Sequence, residues 1–313
     1  MRMRTLSTTT FLAGAMVAGI ALGASLNAQG RGAQAPAGQP AAAPAQQDFS
    51  AVVIKTTKLG DNFYTLEGSG GTIGIQTGAD GVFMVDSQYA QLTEKIVAAI
   101  KQVSDGRIRF MVNTHVHPDH TGGNENLGKM GVTILSRDQL RARLAGGARP
   151  SPAAALPMLT YDAPVTVHMN GEDIRLIPVR AAHTDGDTMI YFPKNDVLMT
   201  GDFYRAIGYP YPDRNNGGSL KGLIDGLNAI IELASPTTKI VPGHGAVVNE
   251  TAVAAHRDLA IAVRDKVAAL VKQGKSADEI VATKPLAEFD AKIEQPGTTG
   301  DRFVRAIVAE LQN

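Results

Sequence analysis

Thr114-His115-Val116-His117-Pro118-Asp119-His120 is the most informative stretch of the sequence. It follows residues 107–113, a run whose pattern predicts a β-strand, so its side chains stand where a strand ends. Four of the six residues from 115 to 120 are imidazoles or carboxylates, groups that hold zinc in proteins. A helix cannot direct all four to one point, because residues two apart face different sides, whereas a loop stiffened by Pro118 can. The pattern therefore predicts a metal site on a loop.

Composition favours this metal site over the alternative, a polar loop that holds histidines by chance. The chain has 7 histidines, and three of them fall within residues 115–120, which we call the hexad. It has no cysteine, which excludes disulfides, cysteine nucleophiles and thiolate metal ligands together. Its 30 basic and 30 acidic side chains give a net charge of zero, which excludes a polybasic nucleic-acid binder. We expect a small-molecule substrate as partner and no nucleic acid.

Three shorter motifs follow the hexad, and each comes after a predicted strand. They are His183-Thr184-Asp185-Gly186, Gly201-Asp202 and Pro242-Gly243-His244-Gly245. In content and order the four motifs resemble the metallo-β-lactamase fold superfamily, which includes zinc β-lactamases, glyoxalase II hydrolases and acyl-homoserine lactonases. The resemblance covers nearly all of the chain from about residue 50 to 270, and it implies an α/β protein with a four-layer αββα sandwich.

The same resemblance implies the metal ligands. The first metal would be held by His115, His117 and His183, the second by Asp119, His120 and His244, and Asp202 would touch both. Two zinc ions are the implied cofactors, although iron or manganese suits a similar set of imidazoles and carboxylates. The remaining histidines, His168 and His256, are expected to be structural.

Two divalent ions about 3.5–4 Å apart explain how such a site would hydrolyse a carbonyl compound. They lower the pKa of a shared water toward about 7 and so supply hydroxide at neutral pH, while one ion stabilises the developing oxyanion. No protein nucleophile is required, which agrees with the lack of cysteine and of a Gly-x-Ser-x-Gly motif. Asp119 is the predicted catalytic residue, because its carboxylate can orient the hydroxide or move a proton. Asp187 is predicted either to orient a ligand imidazole or to cap a turn.

The N-terminal residues predict export. Residues 1–28 have an arginine-containing start, an apolar run and the small residue Ala28 before a cleavage point, which is typical of a signal peptide. The alternative is a membrane anchor, but the run is shorter than about 20 residues and rich in Ala and Gly. Residues 29–48 are almost entirely Gln, Gly, Ala and Pro, and they predict a disordered tether before a hydrolase domain at 49–313. We expect a periplasmic or secreted protein without stable membrane insertion after cleavage.

The pattern of the remaining chain predicts short strands and helices in alternation. Besides the strand at 107–113, strands are expected at 52–57, 63–67, 72–76, 81–86, 132–135, 165–169, 173–179, 188–192, 197–200 and 239–241. A helical stripe covers residues 89–103, and further helices are expected at 124–129, from 138, at 219–233 and at 251–272. Two more helices, beginning at Ala277 and Asp301, form a C-terminal extension, and Ser276 with Glu279 predicts a capping box.

The loop after Asp202 is the predicted substrate-binding segment, because it directly follows a metal ligand. Arg205 is expected either to grip a substrate carboxylate or to form an ordinary surface salt bridge. Tyr204, Tyr209 and also Tyr211 are expected to contact substrate, with plain packing as the alternative.

Three functions fit these observations. The first is an exported, β-lactamase-like zinc hydrolase of a cyclic amide or ester. The second is a lactonase or thioesterase, which the presence of Asp202 favours because zinc β-lactamases place a cysteine there, whereas the glyoxalase II and lactonase branches do not. The third is a non-enzymatic or redox use of the metal site, against which the complete set of seven ligands argues.

Overall fold

Two β-sheets packed face to face organise the part of the chain that the computed structural model describes, residues 48–291 and 293–312. The predicted signal peptide, and the predicted tether up to residue 47, lie outside the described residues and stay predictions. The first sheet contains seven strands, β1 Lys55–Lys58, β2 Phe63–Glu67, β3 Ile73–Gly78, β4 Gly81–Val85, β5 Ile108–Val112, β6 Thr133–Arg137 and β7 Leu159–Tyr161. The second contains five, β8 Val165–Met169, β9 Glu172–Pro178, β10 Thr188–Phe192, β11 Val197–Gly201 and β12 Lys239–Pro242.

Strand direction changes within each sheet. Strands β1 to β4 pair antiparallel in sequence order, whereas β4 to β7 pair parallel. The second sheet runs β12-β11-β10-β9-β8, and within it β11 and β12 are parallel. Parallel neighbours end at the same edge of a sheet, so β4 with β5, and β11 with β12, deliver the residues that follow them to a common place.

Nine α-helices join and cover the sheets in the described residues. They are α1 Thr93–Lys101, α2 Pro118–Thr121, α3 Asn124–Lys129, α4 Asp138–Ala145, α5 Leu220–Leu233, α6 Glu250–Lys272, α7 Ala277–Ala282, α8 Ala287–Asp290 and α9 Gly300–Leu311. No helix in residues 48–291 and 293–312 has the length and apolar content needed to cross a lipid bilayer.

Three apolar layers hold the architecture together. Between the sheets, Phe192 of β10 packs against Phe63 of β2 and Phe83 of β4, with ring centroids 4.7 and 6.1 Å apart. On the outer face of the first sheet, a second cluster includes Ile96 and Ile100 of α1. On the outer face of the second sheet, α5 contributes Leu223, Leu227 and Ile230 to a third. The predicted αββα sandwich is confirmed, because each sheet buries one face against its partner and the other against helices.

Two local features differ from expectation. The hexad does not lie wholly on a loop, because residues Pro118–Thr121 form one turn of helix, α2, with Pro118 at its first position. Proline fits there because its fixed φ is helical and its missing N–H has no partner in the first turn. The sequence also gave no signal for β7, a three-residue strand at Leu159–Tyr161 whose first two side chains are exposed.

The C-terminal helices pack on the rest of the domain. Phe303, Val304, Ile307 and Val308 of α9 are buried against α5, α6 and α7 in a group that we call the C-terminal cluster. Glu310 of α9 accepts hydrogen bonds from the backbone N–H groups of Leu220 and Lys221, at the start of α5. The predicted capping box of Ser276 and Glu279 is confirmed at the start of α7. The extension is thus held by packing and by hydrogen bonds to the cap of α5.

Candidate metal centre

Strand ends deliver the predicted ligands to one cleft. The hexad follows β5, His183 follows β9, and Asp202 and His244 follow the parallel pair β11 and β12. Two glycines permit the close approach, because a Cβ on Gly243 would lie 2.0 Å from Oδ1 of Asp202 and one on Gly71 would lie 2.1 Å from the ring of His120. Long-range strand topology therefore brings together residues that are up to 129 positions apart.

Three imidazoles converge on a first point. Nδ1 of His117 lies 3.2 Å from Nε2 of His115 and 2.9 Å from Nε2 of His183. These three nitrogens form one of the groups in the described residues that have the spacing needed to hold a metal ion. They are also the residues that the resemblance assigns to the first metal.

A second point lies beside the first. Nε2 of His244 lies 3.1 Å from Oδ2 of Asp119 and 3.3 Å from Oδ2 of Asp202. Nε2 of His120 lies 3.2 Å from Oδ1 of Asp202, so Asp202 faces both His120 and His244. Nε2 of His183 is 3.9 Å from Oδ2 of Asp202, which places this carboxylate between the two points. The division of ligands between two ions stays a prediction.

Protein oxygens set the tautomers of three of the histidines. Nε2 of His117 donates to Oδ2 of Asp213 at 2.8 Å, Nδ1 of His183 donates to the carbonyl of Tyr211 at 2.6 Å, and Nδ1 of His120 donates to Oδ2 of Asp86 at 2.7 Å. Carboxylate and carbonyl oxygens only accept, so these nitrogens carry the proton and the other nitrogen of each neutral ring has a free lone pair. In all three rings that lone pair faces the cleft.

The arrangement fits a cation at each point. With the tautomers fixed in this way, no proton lies between Nδ1 of His117 and Nε2 of His183, although the two atoms are 2.9 Å apart. Nε2 of His120 and Oδ1 of Asp202 are buried and have no hydrogen-bond partner among the described residues. Buried polar atoms are normally paired, and lone pairs that face one another are stabilised by a cation between them.

The pKa shifts point the same way. Burial lowers the pKa of His183 to about 4 and holds that of His115 well below its usual value, so both are neutral and able to ligate at neutral pH. Burial also acts to lower the pKa of His120, but the carboxylates of Asp202 and Asp86 outweigh it and raise the pKa well above 6.5. The second point therefore favours positive charge, which a proton on Nε2 of His120 supplies and which a bound cation would supply in its place.

Asp86 and Asp213 are site residues that the sequence analysis missed. Asp86 is buried, accepts hydrogen bonds from the backbone N–H and the hydroxyl of Thr114 at 2.7 Å each, and holds His120. A signal for Asp86 existed, because it is the first polar residue after the apolar strand β4, which is the neighbour of β5. Asp213 gave no such signal, since it lies in a loop 96 residues from His117.

The substrate-binding predictions have a mixed outcome. Arg205 and Tyr211 line the cleft of about 260 Å³ that is also lined by five of the seven predicted ligands. Tyr204 and Tyr209 do not line this cleft, and their rings pack in apolar clusters, which is the alternative stated for these aromatics. Tyr209 is buried in the C-terminal cluster, where its ring stacks on Phe303 and its hydroxyl donates to Asp290 at 2.7 Å. Tyr204 points to the other side of its loop, where it packs edge-on to His256 with ring centroids 5.2 Å apart.

Asp187 stabilises a turn. Its buried carboxylate accepts from the backbone N–H groups of His183 and Thr184 and from the hydroxyl of Thr184. The ring of His183 is held instead by Tyr211, so of the two roles predicted for Asp187 the structure shows the turn. Burial raises the pKa of Asp187 to about 7. His168 lies on the surface of β8, where its Nδ1 donates to Asp173 at 2.7 Å.

Burial of the neutral His256 is expected to make the folded protein less stable in acid. Burial lowers its pKa to about 4, whereas the unfolded chain binds a proton near 6.5, so acidification between these values favours unfolding. The contribution of His256, up to about 3 kcal/mol, is complete above pH 6.5 and is lost as the pH falls toward 4. In urea titrations at pH 7 and pH 4.5, we expect His256→Gln to lose less stability than the wild type. Equal losses in the two proteins would contradict this assignment.

Comparison with known proteins agrees with the fold and the motifs. The model of the metallo-beta-lactamase superfamily matches residues 67–244. A hydroxyacylglutathione hydrolase from Hyphomonas neptunium is 30% identical over 154 residues, which are 48% of this chain and 50% of the relative. A beta-lactamase-like protein 2 homolog from Caenorhabditis elegans is 27% identical over 191 residues, 60% of this chain and 59% of the relative. The matches span about half to three fifths of the length of these curated relatives.

Solved structures show the same fold. A metallo-beta-lactamase from Pontibacter korlensis superposes with a TM-score of 0.58 at 18% identity, covering 66% of this chain and 98% of that protein. A stereoselective inverting sec-alkylsulfatase from Pseudomonas sp. superposes with a TM-score of 0.62 at 17% identity, covering 82% of this chain and 50% of that protein. At these identities the likeness is one of fold alone.

Proposed function

The chain belongs to the metallo-β-lactamase superfamily, and from this premise we propose that it is a binuclear metal-dependent hydrolase that opens a cyclic amide or ester. The observation that carries the proposal is the set of imidazole nitrogens and carboxylate oxygens that converge on two neighbouring points, where the buried Nε2 of His120 and Oδ1 of Asp202 have no hydrogen-bond partner. Zinc is the proposed metal, because a set with five imidazoles suits it well. Two such cations would supply Lewis acidity, lowering the pKa of a water molecule and polarising the scissile carbonyl.

The chain's own residues have separable roles in this reaction. His115, His117 and His183 are held rigidly by Thr114, Asp213 and Tyr211, so their lone pairs keep one geometry during turnover. Asp119 differs from Asp202, the other predicted carboxylate ligand, because its side chain is about one-fifth exposed and reaches the cleft beside His244. This position allows its carboxylate to take a proton from the attacking water and return it to the leaving group. Arg205, on the same cleft, is placed to bind an acid group of the substrate.

A lactonase or thioesterase of the same fold is the second candidate. Two observations favour it, namely Asp202 in place of the cysteine of zinc β-lactamases and the 30% identity to a hydroxyacylglutathione hydrolase over half of that relative. In both candidates the reaction is attack on an activated carbonyl. They differ in the preferred substrate, which is a β-lactam-like ring in the first candidate and a lactone or thioester in the second. Export of the protein, which the pattern of residues 1–28 suggests, favours the first candidate.

A hydrolysis panel tests the proposal. Purified protein with zinc added is offered a cephalosporin, an acyl-homoserine lactone and a thioester, and each reaction is repeated after treatment with a chelator. We expect hydrolysis of the β-lactam that chelation abolishes and that returns with metal. A lactone or thioester rate far above the β-lactam rate would favour the second candidate, and chelator-resistant hydrolysis would refute both. Full activity with fewer than two metals per chain would refute the binuclear centre.

A further inference from the structure

Arg302 brings the C-terminal helix to the metal cleft. It is the third residue of α9 and lines the cleft together with Arg205, His117, Asp119 and His183. Its guanidinium carbon lies 3.7 Å from the centre of the ring of Tyr211, a cation–π contact. The backbone carbonyl of Tyr211 in turn holds His183, so Arg302 is positioned directly against the wall that orients a predicted ligand.

The helix that carries Arg302 is firmly anchored. Phe303 and Val304, which follow Arg302 in the helix, are buried in the C-terminal cluster. Thr299 caps the helix by accepting from the backbone N–H of Arg302. At its other end, Glu310 binds the first N–H groups of α5. The base of the side chain is therefore fixed, and the guanidinium is held at the mouth of the cleft by Tyr211.

Neither Arg205 nor Arg302 makes a close salt bridge with a carboxylate among the described residues. Arg302 pairs with no carboxylate among residues 48–291 and 293–312, in contrast to Arg305 on the same helix, which lies 2.7 Å from Asp278. Stacking on a ring leaves the in-plane N–H groups of a guanidinium available as donors. The nearest carboxylate contact of Arg205 is Oδ2 of Asp202, 3.8 Å from its Nε, and that nitrogen has no hydrogen-bond partner.

The charge of the cleft completes the argument. Its walls carry three carboxylates, of Asp119, Asp202 and Asp213, and two guanidiniums. With two divalent cations held by the predicted ligands, the cleft would have a net positive charge. The guanidinium N–H groups of the two arginines would remain available to donate to a bound anion. A planar acid group is the complement of such a pair, since guanidiniums bind carboxylates through parallel hydrogen bonds.

We propose that Arg302 of α9 adds a second guanidinium to the acid-binding role proposed above for Arg205, so that the C-terminal extension selects carboxylate-bearing esters or amides over neutral ones. This inference rests on the proposed hydrolase function. It goes further in naming the charge of the substrate and in giving the C-terminal helix a role in its recognition.

An anionic and a neutral ester of matched length test the proposal. The probes are the 4-nitrophenyl monoester of glutaric acid, which carries a free carboxylate, and 4-nitrophenyl pentanoate, which is neutral. We expect kcat/KM of the zinc-loaded protein to be at least about tenfold higher for the anionic ester, because a charge-assisted hydrogen bond contributes that much or more. In Arg302→Gln we expect this ratio to fall about tenfold, and in Arg302→Lys to fall by less. Arg305→Gln, on the same helix, is the control and should leave the ratio unchanged.

A second measurement separates the anion site from the hydrolase. Free glutarate should raise the melting temperature of the wild type more than that of Arg302→Gln, because a ligand that binds only the folded protein stabilises it. An equal loss of kcat/KM for both esters in Arg302→Gln would show a purely structural role and overturn the proposal. So would equal rates for the two esters in the wild type. If neither ester is hydrolysed but glutarate protection depends on Arg302, the anion site stands, and the hydrolysis panel alone decides whether the hydrolase function does.

Discussion

Replacing Asp119 with alanine is expected to lower kcat by about 10²- to 10⁴-fold while the protein stays folded. The carboxylate stands 3.1 Å from Nε2 of His244 and 3.6 Å from Nε2 of His120, at the open side of the second metal point. It is the predicted ligand best placed to exchange protons with substrate, because Asp202 and His120 are buried. Removing it deletes a ligand and the proposed proton carrier together. The measurement is steady-state hydrolysis of the best substrate of the panel, with metal content determined on the same sample.

The fold is expected to survive this change for local reasons. The backbone carbonyl of Asp119, which accepts from the N–H of Gly71 at 3.1 Å, is retained, and alanine is a good residue in the short helix α2. Glu125→Ala on the following helix is the matched control, since it removes a carboxylate that only pairs with Lys129 on the surface. We expect the control to keep full activity and both variants to melt within a few degrees of the wild type. Unchanged turnover in Asp119→Ala would contradict the proposed proton carrier.

The fold was predictable because its signals are local. Short apolar runs separated by Gly, Asp and Asn gave the positions of eleven of the twelve strands within a few residues, since each run must bury at least one face. Strand β7 was missed because its exposed residues follow a loop rich in proline and alanine and carry no alternation. The turn of helix α2 was not predicted, because all six residues of the hexad were assigned to one loop. In the structure the loop ends at His117, and the helix begins at Pro118.

The site was predictable only as far as its motifs extend. The histidines and Asp202 stand in recognisable runs, but the oxygens that hold them come from Asp86, Asp213 and the carbonyl of Tyr211, which have no spacing relation to their partners. These contacts arise from the parallel pairing of strands and from the loop after Asp202. The same loop explains why Tyr209 was misplaced. Its ring fits a gap in the C-terminal cluster, and nothing short of the packing of α9 could have shown this.

Asparagine at position 86 is expected to weaken binding of the second metal strongly while costing little stability. Asp86 has φ of 62°, a left-handed conformation that asparagine adopts readily, and its amide oxygen still accepts the N–H of Thr114. The NH₂ group, however, cannot accept from Nδ1 of His120. The ring must then carry its proton on Nε2, and the lone pair that faced Asp202 is lost. We expect zinc affinity of the second site to fall by about 10- to 100-fold and hydrolysis to fall with it.

Alanine at position 86 separates the effect of Asp86 on the orientation of His120 from its effect on the free energy of unfolding. Asp86→Ala leaves three buried donors unsatisfied, two of Thr114 and one of His120, and places a residue with no local hydrogen bond in a left-handed conformation. We expect it to lose about 3–5 kcal/mol of unfolding free energy, whereas Asp86→Asn loses about 1. Asp173→Asn is the control, because it alters a histidine–aspartate pair, with His168, that is exposed and far from the cleft. Zinc titration and urea unfolding of the three variants measure both quantities. Retention of two tightly bound zinc ions by Asp86→Asn would show that the tautomer of His120 does not depend on this carboxylate.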